Sequence, residues 1–144
     1  MLRFISELPQ DKPIAGVHSV PVLENGNLIM VWDRDEQALT TIGGRVERGE
    51  TLDEALDREA LEEAGVVLGK ERIPFACWYW QETNSYTVWL LTRVESFLDM
   101  PQGFEKTGYV VMNFPTAVGL VTKLEGEGER SRILTKAGQL TGRL

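Results

Sequence analysis

The segment GGRVERGETLDEALDREALEEAGV, Gly43 to Val66, constrains the fold more than any other part of this chain. It gathers Glu47, Glu50, Asp53, Glu54, Asp57, Glu59, Glu62 and Glu63 against only Arg45, Arg48 and Arg58. Like charges four apart on a helix repel. The run is therefore either a solvated acidic face or one that a cation completes. Thr51 followed by Glu54 is a capping-box pattern, which predicts a helix from there to about Ala64, with Gly65 as its stop. At 3.6 residues per turn Leu52, Ala55 and Leu56 share one stripe, and that stripe runs on toward Glu59, Glu62 and Glu63. Charge runs ordinarily face water, but a solvated helix places its charges opposite the apolar stripe rather than in line with it. Inward-facing carboxylates need a counter-charge, and donors that are all oxygen suit the hard ions Mg²⁺, Mn²⁺ or Ca²⁺. Arg58 also has an ordinary structural role open to it, pairing with Glu54 or Glu62 along the helix.

The rest of the chain reads as alternating strands and helices with no repeat, low-complexity tract or linker. Ile14–Leu23 and Asn27–Trp32 are β-rich, and the Asn25-Gly26 pair between them predicts a two-residue hairpin turn. Pro21 predicts an edge position or a bulge. Arg34–Ala38 is a polar loop. Pro74–Glu82 and Ser85–Val94 form a second antiparallel pair turning at Thr83-Asn84, and Tyr109–Phe114 is a further strand after the loop Pro101–Gly108. Two shorter helices follow, near Pro115–Leu124 and Glu129–Leu140. This order implies an α/β (α+β) fold, a mixed sheet covered by helices. A length of 144 residues suits a single domain, 1–144, with a sizeable core.

Composition excludes several function classes. No apolar run approaches a membrane span, and the start MLRFISELPQ lacks the features of a signal peptide. Cys77 is the only cysteine, which rules out an internal disulfide and disfavours a cysteine-built zinc site. A cytoplasmic protein is expected. The formal net charge of −7 argues against binding a nucleic-acid polymer or an anionic membrane. It leaves a small phosphorylated substrate open, because a metal reverses the local sign of an acidic site.

Gly44, five residues, Glu50, seven residues, then Arg58-Glu59-Ala60-Leu61-Glu62-Glu63-Ala64-Gly65-Val66 resembles the Nudix box, with Ala60 a small occupant of a position usually bulky and aliphatic. Its many spaced constraints make it far more specific than a lone glycine-rich motif. The resemblance implies a MutT-like α/β/α sandwich around a central mixed sheet. It implies a metal-dependent pyrophosphohydrolase that splits a phosphoanhydride in a nucleoside diphosphate linked to another moiety. Mg²⁺ is the expected cofactor, with Mn²⁺ as substitute. By position, Glu59, Glu62 and Glu63 resemble the family's metal-binding glutamates, and the Gly43 carbonyl its backbone ligand. Glu50 and Arg58 resemble the pair that braces the loop against the helix, and Arg58 is counted among the catalytic candidates. Gly43, Gly44 and Gly49 are expected to let the loop bend around phosphates, or to serve as turn glycines. Ile42 departs from the family, where proline often precedes the two glycines.

The general base stays open between Glu59 and Glu105, the latter in PQGFEKTGY. Gly43, Gly44, Arg45 and Trp80 are candidate substrate contacts. Trp78 and Trp80 alternate on a strand and share a face that can stack a nucleobase, although packing is the commoner use of such residues, as it is for Trp32 and Trp89. His18 and Cys77 are read as structural. The downstream places where proline marks ADP-ribose and tyrosine marks diadenosine polyphosphates hold Gln81 and Glu82-Thr83-Asn84. The expected partner is thus a small nucleotide-like diphosphate, such as a nucleoside triphosphate or nucleotide sugar, and a homodimer is compatible with the sequence. Two other classes compete: a non-catalytic nucleotide-ligand sensor on the same fold, and an isoprenoid diphosphate isomerase. The intact box disfavours both.

Overall fold

In the computed structural model, which describes Met1–Leu144, three helices cover the two faces of one mixed sheet. The strands are β1 (Leu2–Phe4), β2 (Ile14–Val22), β3 (Leu28–Asp33), β4 (Ala38–Thr40), β5 (Ile42–Arg45), β6 (Val66–Leu68), β7 (Ile73–Trp80), β8 (Ser85–Phe97) and β9 (Lys106–Met112). The helices are α1 (Leu52–Ala64), α2 (Phe114–Glu125) and α3 (Glu129–Leu140). The main path of the sheet runs β1-β7-β8-β2-β3-β4, with β5 on β2, β6 on β8 and β9 on β3. Only β2 and β8 pair in parallel. The expected α/β/α sandwich is the observed architecture.

Strand periodicity divides the core in two. Val17, Ile29, Val31, Ile42 and Val88 turn to one face, where Ala55, Leu56, Ala60 and Ala64 of α1 cover them. Val20, Val22, Leu28, Met30 and Phe75 turn to the other and meet Phe114, Ala117 and Val121 of α2 and Ile133, Leu134 and Ala137 of α3. Residues adjacent along β2 and β3 thus serve opposite cores. No helix is long and apolar enough to cross a membrane.

Helix α1 begins and ends as its caps predict. The Thr51 hydroxyl accepts from the Glu54 N–H, the Glu54 carboxylate accepts from the Thr51 N–H, and Gly65 takes the left-handed conformation at φ 66°. The expected stripe needs one correction. Ala60 and Ala64 continue it, so of the three glutamates only Glu63 is buried, and Glu59 and Glu62 lie on its flank.

The strand expectations need others. The Leu23–Asn27 turn is a three-residue loop, with Gly26 N–H donating to the Leu23 carbonyl, Leu23 N–H donating to the Asn27 carbonyl, and Gly26 at φ +89°. Pro21 is neither at an edge nor at a bulge. It lies in central β2, opposite Thr92 of β8, where pairing with β5 has ended at Ser19 and pairing with β3 is confined to Val22. The missing N–H therefore falls in a gap between ladders. Gly43 and Gly44 belong to strand β5 rather than to a loop. Strand β9 starts at Lys106, ahead of the expected Tyr109, because Lys106 is the register partner of Asp33.

Candidate active site

The last turns of α1 lie beneath β5, and the two glycines make that approach possible. A Cβ on Gly44 would stand 2.6 Å from Glu59 Oε1, and one on Gly43 would stand 2.3 Å from the Val17 carbonyl oxygen. These glycines are thus required by close packing of strand on helix and strand on strand. The Gly43 N–H, left free to point at the helix, donates to Glu63 Oε1 at 2.8 Å.

Arg58 ties the segment together. Its Nε and Nη2 clasp both oxygens of Glu50 at 2.8 and 2.9 Å, and Nη2 also donates to the Arg45 carbonyl at 3.1 Å. Its Nη1 meets Glu59 Oε1 at 2.9 Å and Glu62 Oε2 at 3.5 Å. Of the two structural pairings expected for Arg58, the one with Glu62 forms, while Glu54 is committed to the capping box. The Arg58 guanidinium holds the Glu50 carboxyl below its ordinary range. Glu59 is shifted the other way, because burial outweighs the help it receives from Arg58.

Glu63 is the most enclosed of the three, only 4% exposed. Burial pushes its pKa up to about 7, against the pull of the Gly43 N–H and of Lys106. Lys106 Nζ sits 3.1 Å from Glu63 Oε2 and also 3.1 Å from Asp33 Oδ2. Its one charge is shared between two buried carboxylates, so neither is fully neutralised. Asp33 escapes the usual effect of burial because the Glu36 and Asp35 N–H groups and Lys106 together outweigh it, leaving its pKa lowered.

These groups line one end of a cleft of about 1140 Å³. Glu59, Glu62, Glu63, Gly43, Gly44, Arg45, Arg58 and Glu105 all face it, so the structure brings the predicted site residues together. Glu105 stands across from α1 with a half-exposed side chain, its carboxylate 3.7 Å from Lys106 Nζ. From His18, the register partner of Gly43, aromatic rings run on to the other end. Trp78 and Trp80 lie 5.9 Å apart, with Trp80 Nε1 donating to Thr87 Oγ1 at 2.9 Å, and His18 stacks on Trp89 at 5.4 Å. Trp80 is 45% exposed, so packing does not account for it, whereas Trp78 and Trp89 are half-buried against the α2–α3 core. Cys77 is buried on the α1 side, as a small core residue.

Sequence reasoning passed over Asp33, Lys106, Thr41 and the cleft position of His18. Asp33 left a faint signal, an acid closing the apolar run NLIMVW. Lys106 left none, since what places it is its register partner across two strands.

The site's chemistry fits a hard divalent cation. Eleven carboxylates line the cleft against four lysine and arginine side chains, and the donors expected of a metal site here are all oxygens. No three of the carboxylates already converge on one point. Glu59 and Glu62 are occupied by Arg58, and Glu63 by Lys106.

The family model for the NUDIX domain matches residues 12–133. Among solved structures, the chain resembles the Bacillus subtilis pyrophosphohydrolase BsRppH at a TM-score of 0.73 and 18% identity, covering 98% of this chain and 91% of that one. It resembles a NUDIX hydrolase from Nitrosomonas europaea at 0.67 and 17%, covering 90% of each. A MutT protein from Methanosarcina mazei Go1 aligns at 0.61 and 16%, covering 92% and 99%. At such identities these likenesses speak for the fold alone. Comparison with curated protein sequences gives no match. The family match, extending over most of the chain, gives the acidic turn of α1 its context: this chain belongs to the Nudix family and is a Nudix hydrolase.

Proposed function

We propose that the chain is a Mg²⁺-dependent pyrophosphohydrolase, with Mn²⁺ as a working substitute, acting on a nucleoside diphosphate linked to another moiety. The observation that carries this reading is the two-ended cleft. Under-neutralised carboxylates at the end of α1 face a wall of exposed and half-buried aromatic rings across one continuous space. A diphosphate suits the first end once a metal is bound, and a planar base suits the second. A nucleoside triphosphate or nucleotide sugar has this shape.

Glu59, Glu62 and Glu63, with the Gly43 carbonyl, would hold the metal. When bound, it supplies charge neutralisation for the anhydride and lowers the pKa of an attacking water. Arg58 acts as a positioning residue, fixing Glu59 and Glu62 from one side while anchored on Glu50. Gly44 and Arg45 offer phosphate contacts at the strand edge, and Trp80 offers a stacking face. The base that takes the water's proton is Glu59 or Glu105. Glu59 is favoured by its raised pKa and Glu105 by its half-exposed carboxylate on the cleft wall. The net charge of −7 supports small nucleotides over nucleic-acid polymers; the single cysteine suits a cytoplasmic setting.

Phosphate release from a panel of nucleoside diphosphate derivatives, with and without chelator, tests the reading. Glu63→Gln and Glu59→Gln should each lower kcat/KM by about 100-fold or more, the scale of losing a charged ligand to a metal-stabilised transition state. Glu105→Gln should lower kcat by roughly 10²–10⁴-fold if it is the base, and otherwise leave it within about threefold. Full activity in chelator would overturn the assignment, and binding of the panel without any turnover would favour the sensor.

A further inference from the structure

Lys106 is placed with unusual firmness for a lysine. It opens β9, its backbone is in register with Asp33 of β3, and the preceding carbonyl, that of Glu105, accepts from the Arg34 N–H at 2.9 Å. Its side chain is only 11% exposed. The ammonium has three carboxylate neighbours: Asp33 Oδ2 and Glu63 Oε2 at 3.1 Å each, and Glu105 Oε1 at 3.7 Å. Glu63 Oε1 already accepts from the Gly43 N–H, so Oε2, which accepts from no N–H of the backbone, is the oxygen freer to take another cation. Lys106 is on it.

We propose that Lys106 is an internal counter-cation that occupies the metal's seat at Glu63 and is displaced when a divalent ion binds. This rests on the reading that Glu63 is a metal ligand. An ammonium 3.1 Å from a carboxylate oxygen and a dication bound to that same oxygen repel at contact distance, so they exclude one another. Lys106 has somewhere to go. An ammonium carries three donors, and Asp33 and Glu105 retain two of its neighbours after Glu63 is released. Asp33 is well suited as the pivot, because its Oδ1 is fixed by the Asp35 and Glu36 N–H groups at 2.9 Å each, leaving Oδ2 for the lysine. The displacement is a side-chain movement about a fixed backbone. Its effect is to keep two buried carboxylates tolerable without metal, and to set metal affinity below what the carboxylates alone would give.

The test is Mn²⁺ binding alone, without substrate, by calorimetry or by loss of the free-ion EPR signal. Lys106→Met should tighten binding about tenfold or more, the order of one close charge contact. Arg130→Met removes an equal charge from the same cleft wall, but from a residue paired with Glu125 and not touching Glu63. It should shift the affinity by no more than about threefold, since charges apart from contact are largely screened. Equal shifts in the two would reduce Lys106 to a contributor of net charge and overturn the proposal, as would unchanged or weaker binding by Lys106→Met. Lys106→Gln, which keeps a donor for Asp33, should tighten binding in the same direction and decides the case if the methionine variant does not fold. Failure of the wild-type protein to bind Mn²⁺ at all would instead remove the metal reading on which the proposal stands.

Discussion

His18 is the only histidine in the chain, and its surroundings oppose its protonation. Burial lowers its pKa from 6.5 to about 4, the Lys106 and Arg130 charges push the same way, and Thr41 opposes them. The imidazole, beside Gly43 where the aromatic wall of the cleft begins, is therefore neutral at physiological pH, free to stack on Trp89 and to share a hydrogen bond with Thr41 Oγ1 at 2.8 Å. Because the folded pKa lies below the unfolded one, the contribution to stability is fully present above about pH 6.5 and is lost as pH falls toward 4. The amount is on the order of 3 kcal/mol. Glu63 works in the opposite sense. Its raised pKa favours the fold below the ordinary carboxylate range, and that advantage is lost as pH rises through about 7. The two partly cancel in the wild type, so Glu63→Gln should leave a metal-free protein whose stability climbs steadily from about pH 4 to 6.5. An NMR titration of the single imidazole checks the first half of this account directly. A midpoint near 6.5 would show that the ring is not desolvated.

Helix α1 carries more like charge than its own backbone favours, so its ends matter more than usual. Thr51→Ala should destabilise the protein by about 1 kcal/mol, read from urea unfolding at constant slope, because it leaves the Glu54 N–H without its partner. A loss of no more than a few tenths would mean that packing of Ala55, Leu56, Ala60 and Ala64 alone holds the helix. The same element shows what a sequence makes legible. Thr51, Glu54 and Gly65 act within four residues of their partners, so both ends of α1 could be read off in advance, as could the long runs of β2, β3, β7 and β8. Strands β1, β4, β5 and β6 are three or four residues each, too short to show a period; β1, β5 and β6 exist because a distant strand pairs with them, and β4 because it folds back on β3. The site divides along the same line. Its acidic half lies in one local motif, while Asp33, Lys106 and His18 arrive from other strands, and only register puts them beside Glu63 and Gly43.

At the scale of the molecule, the site is a local conflict that the rest of the fold tolerates. Replacing Glu59, Glu62 and Glu63 together with glutamine should abolish turnover and yet leave the metal-free protein at least as stable as wild type, because crowded carboxylates are removed from a partly buried face. Millimolar Mg²⁺ should raise the wild-type melting temperature and leave that of the triple variant nearly unchanged. Equal shifts in melting curves of the two would mean that the carboxylates do not hold the metal. The parallel pairing of β2 with β8 sets when this conflict arises. It joins Ile14–Val22 to Tyr86–Arg93 across the entire box segment, and Lys106 enters later still, with β9. Such long-range closure is slow, because the chain loses its freedom before the contacts form. During synthesis at roughly 5–20 residues per second the acidic segment leaves the ribosome seconds ahead of the strands that enclose it. The nascent chain therefore carries the glutamates in water, where they solubilise it, and they come to oppose folding only once the sheet that gives them a purpose has closed.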